Sequence, residues 1–230
     1  MHETRHWRFA WKFSFRATGW LLAFIGVVML LTHLILALAR WDEAQAAFGS
    51  FMLIIPLIAG LHASLLFAPD DEPALELLLT APRPTVYLIY ERLAALAILQ
   101  GVLALALTIV TAVTSSGINA LDMIVVWLPP AVCMIGLCLL ATLYARKMAF
   151  GMLMAIGISV AMAVGRESIL PMFPDLWFIM FYLDPRGVTV EQYAFNRLLL
   201  IAVGIAAFAL VLYRMRDEEK LLGIGEARNG

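Results

Sequence analysis

Met123 to Ala145 reads MIVVWLPPAVCMIGLCLLATLYA, 23 residues without a single charge. A helix crossing a bilayer needs about 20 consecutive, mostly apolar residues, and this stretch supplies them. Pro129 and Pro130 lie inside it. Prolines are tolerated in such helices where neighbours or waters satisfy the freed carbonyls. Working outward, the same kind of run recurs upstream at 93–113, at 51–68 (with Pro56 inside) and at 17–39, and downstream at 148–165 and 195–213. The composition agrees: 63% of residues are hydrophobic, 14% are charged, and the mean hydropathy is +0.91. A soluble domain is about 45–50% apolar and about 25% charged. A chain of 230 residues has room for those helices and little else, which excludes a large catalytic domain outside the membrane. The net charge of −1 offers nothing to a nucleic acid. The expected fold is therefore all-α: a single polytopic domain, 1–230, with six transmembrane helices.

Orientation follows from the cations, which gather on the cytoplasmic side of membrane proteins. With the N-terminus inside, that side receives Arg5, Arg8, Lys12, Arg16, Arg83, Arg92, Arg146, Lys147, Arg214, Arg216, Lys220 and Arg228. The other side receives only Arg40, Arg166, Arg186 and Arg197. Six spans with both termini cytoplasmic follow, in the cell (inner) membrane, with 214–230 as a cytoplasmic tail. A signal peptide is a poor reading of the first run, which is expected to be a span: it is too long, and Ala37-Leu38-Ala39 leads straight into Arg40 and Trp41. Ser168 to Leu183 (SILPMFPDLWFIMFYL) is apolar but short, and Pro171, Pro174 and Asp175 interrupt it. A seventh span there would carry the basic tail outside. The segment 166–194 is instead expected to be a broken, re-entrant or interfacial element on the outer face, with Trp177 and Tyr182 at headgroup level.

Residues 3–16 mix cations with rings. At about 100° per residue, Arg5, Arg8, Lys12 and Arg16 form one stripe, flanked by Trp7, Trp11 and Phe15 on one side and Phe9 and Phe13 on the other. A helix lying on the inner leaflet needs this mixture; the plainer reading is a positive flank that only sets topology. Between the second and third runs, Pro69 to Leu93 reads PDDEPALELLLTAPRPTVYLIYERL. Asp70, Asp71 and Glu72 before Pro73 suit the first turn of a helix, where the dipole favours acids. Leu75, Leu78 and Leu79 then share a face, Glu76 and Thr80 another, and Pro82 and Pro84 stop the helix. The spacing predicts a short amphipathic helix over 71–80. Four acids in so short a stretch disfavour a negatively charged lipid surface and favour a partner protein's groove.

The run Glu72-Pro-Ala-Leu-Glu-Leu-Leu-Leu-Thr-Ala-Pro82 resembles the loop signature of the ABC-2 type permeases, the membrane halves of ATP-driven exporters. It departs from the family at Pro73-Ala74, where Gly-Thr is common. The resemblance extends to the interfacial helix, the six spans and the broken element before the last span. It implies that 71–80 is a coupling helix, with Glu72, Leu75, Glu76, Leu78, Leu79, Thr80 and Pro82 contacting the ATPase. It also implies two phosphate-loop ATPase subunits, which carry ATP and Mg, and a second permease subunit, identical or homologous, completing a dimer. The chain holds no G-x-x-x-x-G-K-[ST] motif, so no cofactor is assigned to it, and as a transport subunit it is not expected to be an enzyme. Cargoes handled by such permeases include lipid-linked glycans, drugs or peptides, and haem.

Within the runs, His33 and His62 are the only histidines, His62 nearer the middle of its helix. Hydrogen-bonded histidines facing the bundle are the expectation, with a haem ligated by both as the sharper alternative. Cys133 and Cys138, five apart on one helix, point to different sides and read as packing residues. No Asp, Glu, Lys or Arg lies near a span's centre, and Arg197 is expected to reach outward along its stem. Carriers driven by protons or sodium usually bury a carboxylate there. Ser64, Thr108 and Ser159 are expected to bond back to their own helices. Met152, Trp177 and Asp184 are the candidates for a pathway or outer gate. Two other classes stand beside the exporter permease: a non-transporting scaffold or accessory subunit of a membrane complex, and a small carrier or membrane enzyme.

Overall fold

The structure is a computed structural model that describes residues 44–71, 86–114, 119–165, 172–183 and 187–216. The expected interfacial helix, with Arg5, Trp7, Arg8, Trp11, Lys12 and Phe15, lies outside the described residues, as do the first run, His33 and the tail beyond Arg216. Five α-helices are described: α1 (Ala44–Ser64), α2 (Val86–Thr114), α3 (Ala120–Ala145), α4 (Met148–Val164) and α5 (Val190–Arg214). Two 3₁₀ turns join them, η1 (Pro69–Asp71) after α1 and η2 (Pro174–Ile179) before α5. There is no strand among the described residues.

Three helical stretches, Ile89–Val113, Ala120–Ala145 and Val190–Arg214, are long and apolar enough to cross a membrane; Phe51–Ser64 and Met148–Val164 are shorter apolar helices. The outer surface supports the same reading. Ile98, Val102, Ile109 and Val113 lie exposed along α2, and Val113 is 80% exposed. A soluble monomer rarely presents so long an apolar face to water, whereas acyl chains solvate it at no cost. Fold and composition together are those of a membrane protein.

The helix boundaries differ from the apolar runs, each for a local reason. α1 begins at Ala44, ahead of 51, because Ala44-Gln45-Ala46-Ala47 are strong helix formers. It ends at Ser64, short of 68, and the chain turns there: Leu65 N–H donates to His62 O and Leu66 N–H to Ala63 O. α2 begins at Val86 rather than 93, because Glu91 and Arg92 are buried within it instead of marking its edge. α5 begins at Val190 rather than 195. Thr189 caps it: its hydroxyl accepts from Gln192 N–H at 3.2 Å, and the Gln192 side chain accepts from Thr189 N–H at 3.0 Å. This reciprocal box satisfies two amide donors that a helix start otherwise leaves open.

α3 is the hub and touches the other four helices. Its length is held by an Asn119 cap, whose Oδ1 accepts from Leu121 N–H at 3.1 Å, and it runs through Pro129 and Pro130 without ending. Cys133, Met134, Cys138 and Leu139 are buried in the main core with Met52, Leu66, Phe67 and Leu200. Both cysteines are free thiols. Close contacts need residues without side chains. A Cβ on Gly204 of α5 would lie 2.6 Å from Val132 O and 2.9 Å from Cys133 Cα of α3, and one on Gly136 would lie 3.0 Å from Gly204 Cα. A Cβ on Gly151 of α4 would meet Ser64 Oγ at 2.5 Å and Cys138 O at 2.8 Å. Small residues let helix backbones approach this closely where burial from water supplies no driving force.

The contacts fix the course of the chain. The end of α1 and the elbow between α3 and α4 meet, since Asp70 N–H donates to Arg146 O at 2.9 Å. The end of α5 joins them through Arg214, whose guanidinium lies 5.5 Å from the Tyr144 ring centre. The start of α2 joins through Arg92, which donates to Leu66 O. Thus α1, α3 and α5 run toward this elbow end, and α2 and α4 run away from it. Trp177 to Leu183 packs at the opposite end, against the start of α5.

Candidate functional site

Three polar clusters stand out in an otherwise apolar bundle. The first lies at the elbow end and grows from η1. Arg146, the C-cap of α3, has φ 63°, a left-handed conformation that costs a non-glycine residue roughly 1 kcal/mol or more. It is the only described non-glycine residue with positive φ. Asp70 holds it there: Arg146 Nε donates to Asp70 Oδ1 at 2.8 Å, besides the backbone bond above. The next residue, Asp71, accepts the Met148 N–H at 2.7 Å through Oδ2 and so caps α4 from another part of the chain. Beside them, Arg92 is buried and bonds Leu66 O, placing a cation where α1's carbonyl end favours one.

The sequence reading put Asp70 and Asp71 in the first turn of the helix at 71–80. They sit instead in η1 and spend their carboxylates on the α3–α4 elbow. Their partners, a guanidinium for Asp70 and an open helix-start amide for Asp71, are near in space and far in sequence. Glu72, Leu75, Glu76, Leu78, Leu79, Thr80 and Pro82 lie outside the described residues. The described residues that flank them, Asp71 and the start of α2, both belong to the elbow end.

The second cluster is intramembrane. His62 is buried in the last turn of α1, not near the middle, because that helix ends at Ser64. Its Nδ1 is hydrogen-bonded to Nε2 of Gln100, a buried amide halfway along α2. Gln100 escaped the sequence reading, which counted charges and passed over amides. Ser64 Oγ donates to Gly60 O at 2.9 Å and Thr108 Oγ1 to Ala104 O at 2.7 Å, the back-bonding expected of them. Thr108 Oγ1 also accepts from Trp127 Nε1 at 3.1 Å and so ties α2 to α3.

The third cluster lies at the opposite end. Asn196 and Arg197, consecutive on α5, are both buried. Asn196 Nδ2 faces three carbonyls, those of Trp177 (3.2 Å), Phe178 (2.9 Å) and Met180 (3.0 Å). Arg197 donates through Nη1 to Phe181 O at 3.1 Å and through Nη2 to Leu183 O at 3.2 Å. Its guanidinium also stacks 4.5 Å from the Tyr193 ring centre. Arg197 therefore does not reach outward: it is 3% exposed, because five carbonyls of an unwound segment offer these two side chains more than headgroups would. Trp177 is half-buried and edge-on to Phe195 at 5.9 Å. Tyr182 is buried, and burial pushes its hydroxyl above its ordinary pKa.

The candidate pathway residues are not brought together. Met152 is half-buried one turn into α4, near the elbow, while Trp177 is on η2 at the far end. Asp184 lies outside the described residues. Comparison of the chain with family models, with curated proteins and with solved structures finds no match.

Proposed function

We propose that the chain is the permease subunit of an ABC-type exporter, with six spans, both termini cytoplasmic, and half of a translocation pathway that a second permease subunit completes. One observation carries the reading: Asp71 and the start of α2, the described residues on either side of Glu72 to Pro82, lie at the end where Arg92, Arg146, Lys147, Arg214 and Arg216 also lie. Positive charge marks that end as cytoplasmic, where a nucleotide-binding partner would be. The alternating course of α1 to α5 supports reading them as the last five of six spans, and the 3₁₀ turn at 174–179 supports a broken element there in place of a seventh.

In this reading the acidic, leucine-faced segment 72–82 docks in a groove of a separate phosphate-loop ATPase. ATP binding closes the ATPase pair, the docking segments move, and the permease halves rock between two packings. Such switching draws on the ligand's differential affinity for the two states. The permease supplies a path and performs no covalent chemistry. Charge reversal tests the docking site: Glu72→Lys with Glu76→Lys is expected to lower transport-coupled ATP turnover about tenfold or more, the scale of an inter-site coupling energy. Wild-type assembly and turnover in the double variant would place docking elsewhere.

A further inference from the structure

We infer that Asp70 and Asp71 are positioning residues that transmit movement of the 72–82 segment to the central helix pair, by holding the α3–α4 elbow. The inference rests on the docking role proposed above. The tie has three strands: the Asp70–Arg146 ion pair at 2.8 Å, the Asp70 N–H to Arg146 O bond at 2.9 Å, and the Asp71 carboxylate on Met148 N–H at 2.7 Å. All three fall within two residues of Glu72, where the docking segment begins. They grip the one point at which α3 and α4 reverse direction, and α3 is the helix that touches all the others. A pull on residue 72 therefore cannot be absorbed in a slack loop. Behind η1, Asp71 N–H donates to Ala68 O at 3.0 Å and Arg92 holds Leu66 O, which stiffens the mount.

The ion pair is also poised to give. Arg146 is kept in left-handed backbone, a conformation that persists only where its surroundings over-determine it. Release of Asp70 would remove one of those determinants, so in this proposal the elbow relaxes when the tie opens, the kind of two-state element that couples distant sites.

The test uses the assembled transporter, with two readouts: recovery of the ATPase with the tagged chain, and transport-coupled ATP turnover. Asp70→Ala and Asp71→Ala are expected to recover the ATPase at wild-type levels while coupled turnover falls about fivefold or more. Asp71→Asn keeps an acceptor for Met148 N–H and is expected to restore most of it. So is the exchanged pair Asp70→Arg with Arg146→Asp. A purely structural role would not sort the variants in that way. Unchanged turnover in both alanine variants would overturn the inference. Loss of the ATPase from them would also overturn it, by making the tie part of docking rather than transmission. If the wild-type chain recruits no ATPase, the docking reading fails, and the tie is judged on the chain alone. Amide exchange over 147–150 should then quicken roughly tenfold in Asp71→Ala as the cap opens, and unchanged exchange would show that no tie exists.

Discussion

Gly204→Leu is expected to abolish the folded bundle. The Cβ alone would stand 2.6 Å from Val132 O and 2.8 Å from Val132 C, and the rest of the side chain has no free direction between two backbones. Overpacking a core usually costs about 1–3 kcal/mol because side chains can shift. Here the obstacle is the backbone of α3, the helix on which the others pack, so relief means separating α3 from α5. The cost should reach at least about 3 kcal/mol, a large share of the roughly 5–15 kcal/mol that stabilises a typical protein. The measurement is recovery of monodisperse protein in mild detergent, with thermal unfolding of whatever is recovered. Gly136→Leu should fail in the same way. Gly157→Leu and Gly101→Leu are the controls, because a Cβ at either position meets nothing within 4 Å, and both should behave as wild type. Equal stability of Gly204→Leu and Gly157→Leu would contradict the close α3–α5 crossing.

Asn196→Leu is expected to release the segment 177–183 from α5 while leaving the helices assembled. The substitution keeps side-chain volume and removes the donor that faces three carbonyls. Those acceptors belong to a 3₁₀ turn and the extended residue after it; Trp177 O keeps the Met180 N–H, so the loss falls on the carbonyls of Phe178 and Met180. A buried acceptor left unsatisfied costs about 1–3 kcal/mol, and the nearby carbonyls bring the total to roughly 2–4 kcal/mol. Arg197→Leu should do less, since it removes a desolvated cation along with its two bonds. Limited proteolysis at the end of the bundle opposite the elbow reads the result: faster cleavage within 172–183 in Asn196→Leu than in Arg197→Leu, with both bundles intact. Wild-type protection in Asn196→Leu would mean that the amide does not hold the segment.

The difference between these two residues also shows what was legible in the sequence. Helices are written in runs of apolar residues long enough for a bilayer, and described helices lie over five of the six runs. Arg146 and Lys147 do mark helix ends, at Ala145 and Met148, but Glu91 and Arg92 do not: they are buried within α2. Charges alone mark an edge poorly when a helix end or a carbonyl lies within reach to accept them. The polar residues that organise the bundle were harder to see. Gln100 and Asn196 are uncharged amides, which a count of charges passes over, and their partners lie 38 and 16–19 residues away. Asp70 and Asp71 suit a helix's first turn by sequence, but their partners, the Arg146 guanidinium and the Met148 N–H, lie 76 and 77 residues away. Local rules capture caps within one turn, such as Thr189 with Gln192, and miss caps supplied across the fold.

The central claim is that this chain is half of a pathway driven by a separate ATPase. It is tested most directly by isolating the tagged chain from its native host in mild detergent and identifying what accompanies it. The account predicts a polypeptide with a phosphate-loop motif, recovered with the wild-type chain and lost or uncoupled when Glu72 and Glu76 are reversed in charge. Recovery of the chain alone, or only with membrane proteins that bind no nucleotide, would contradict it.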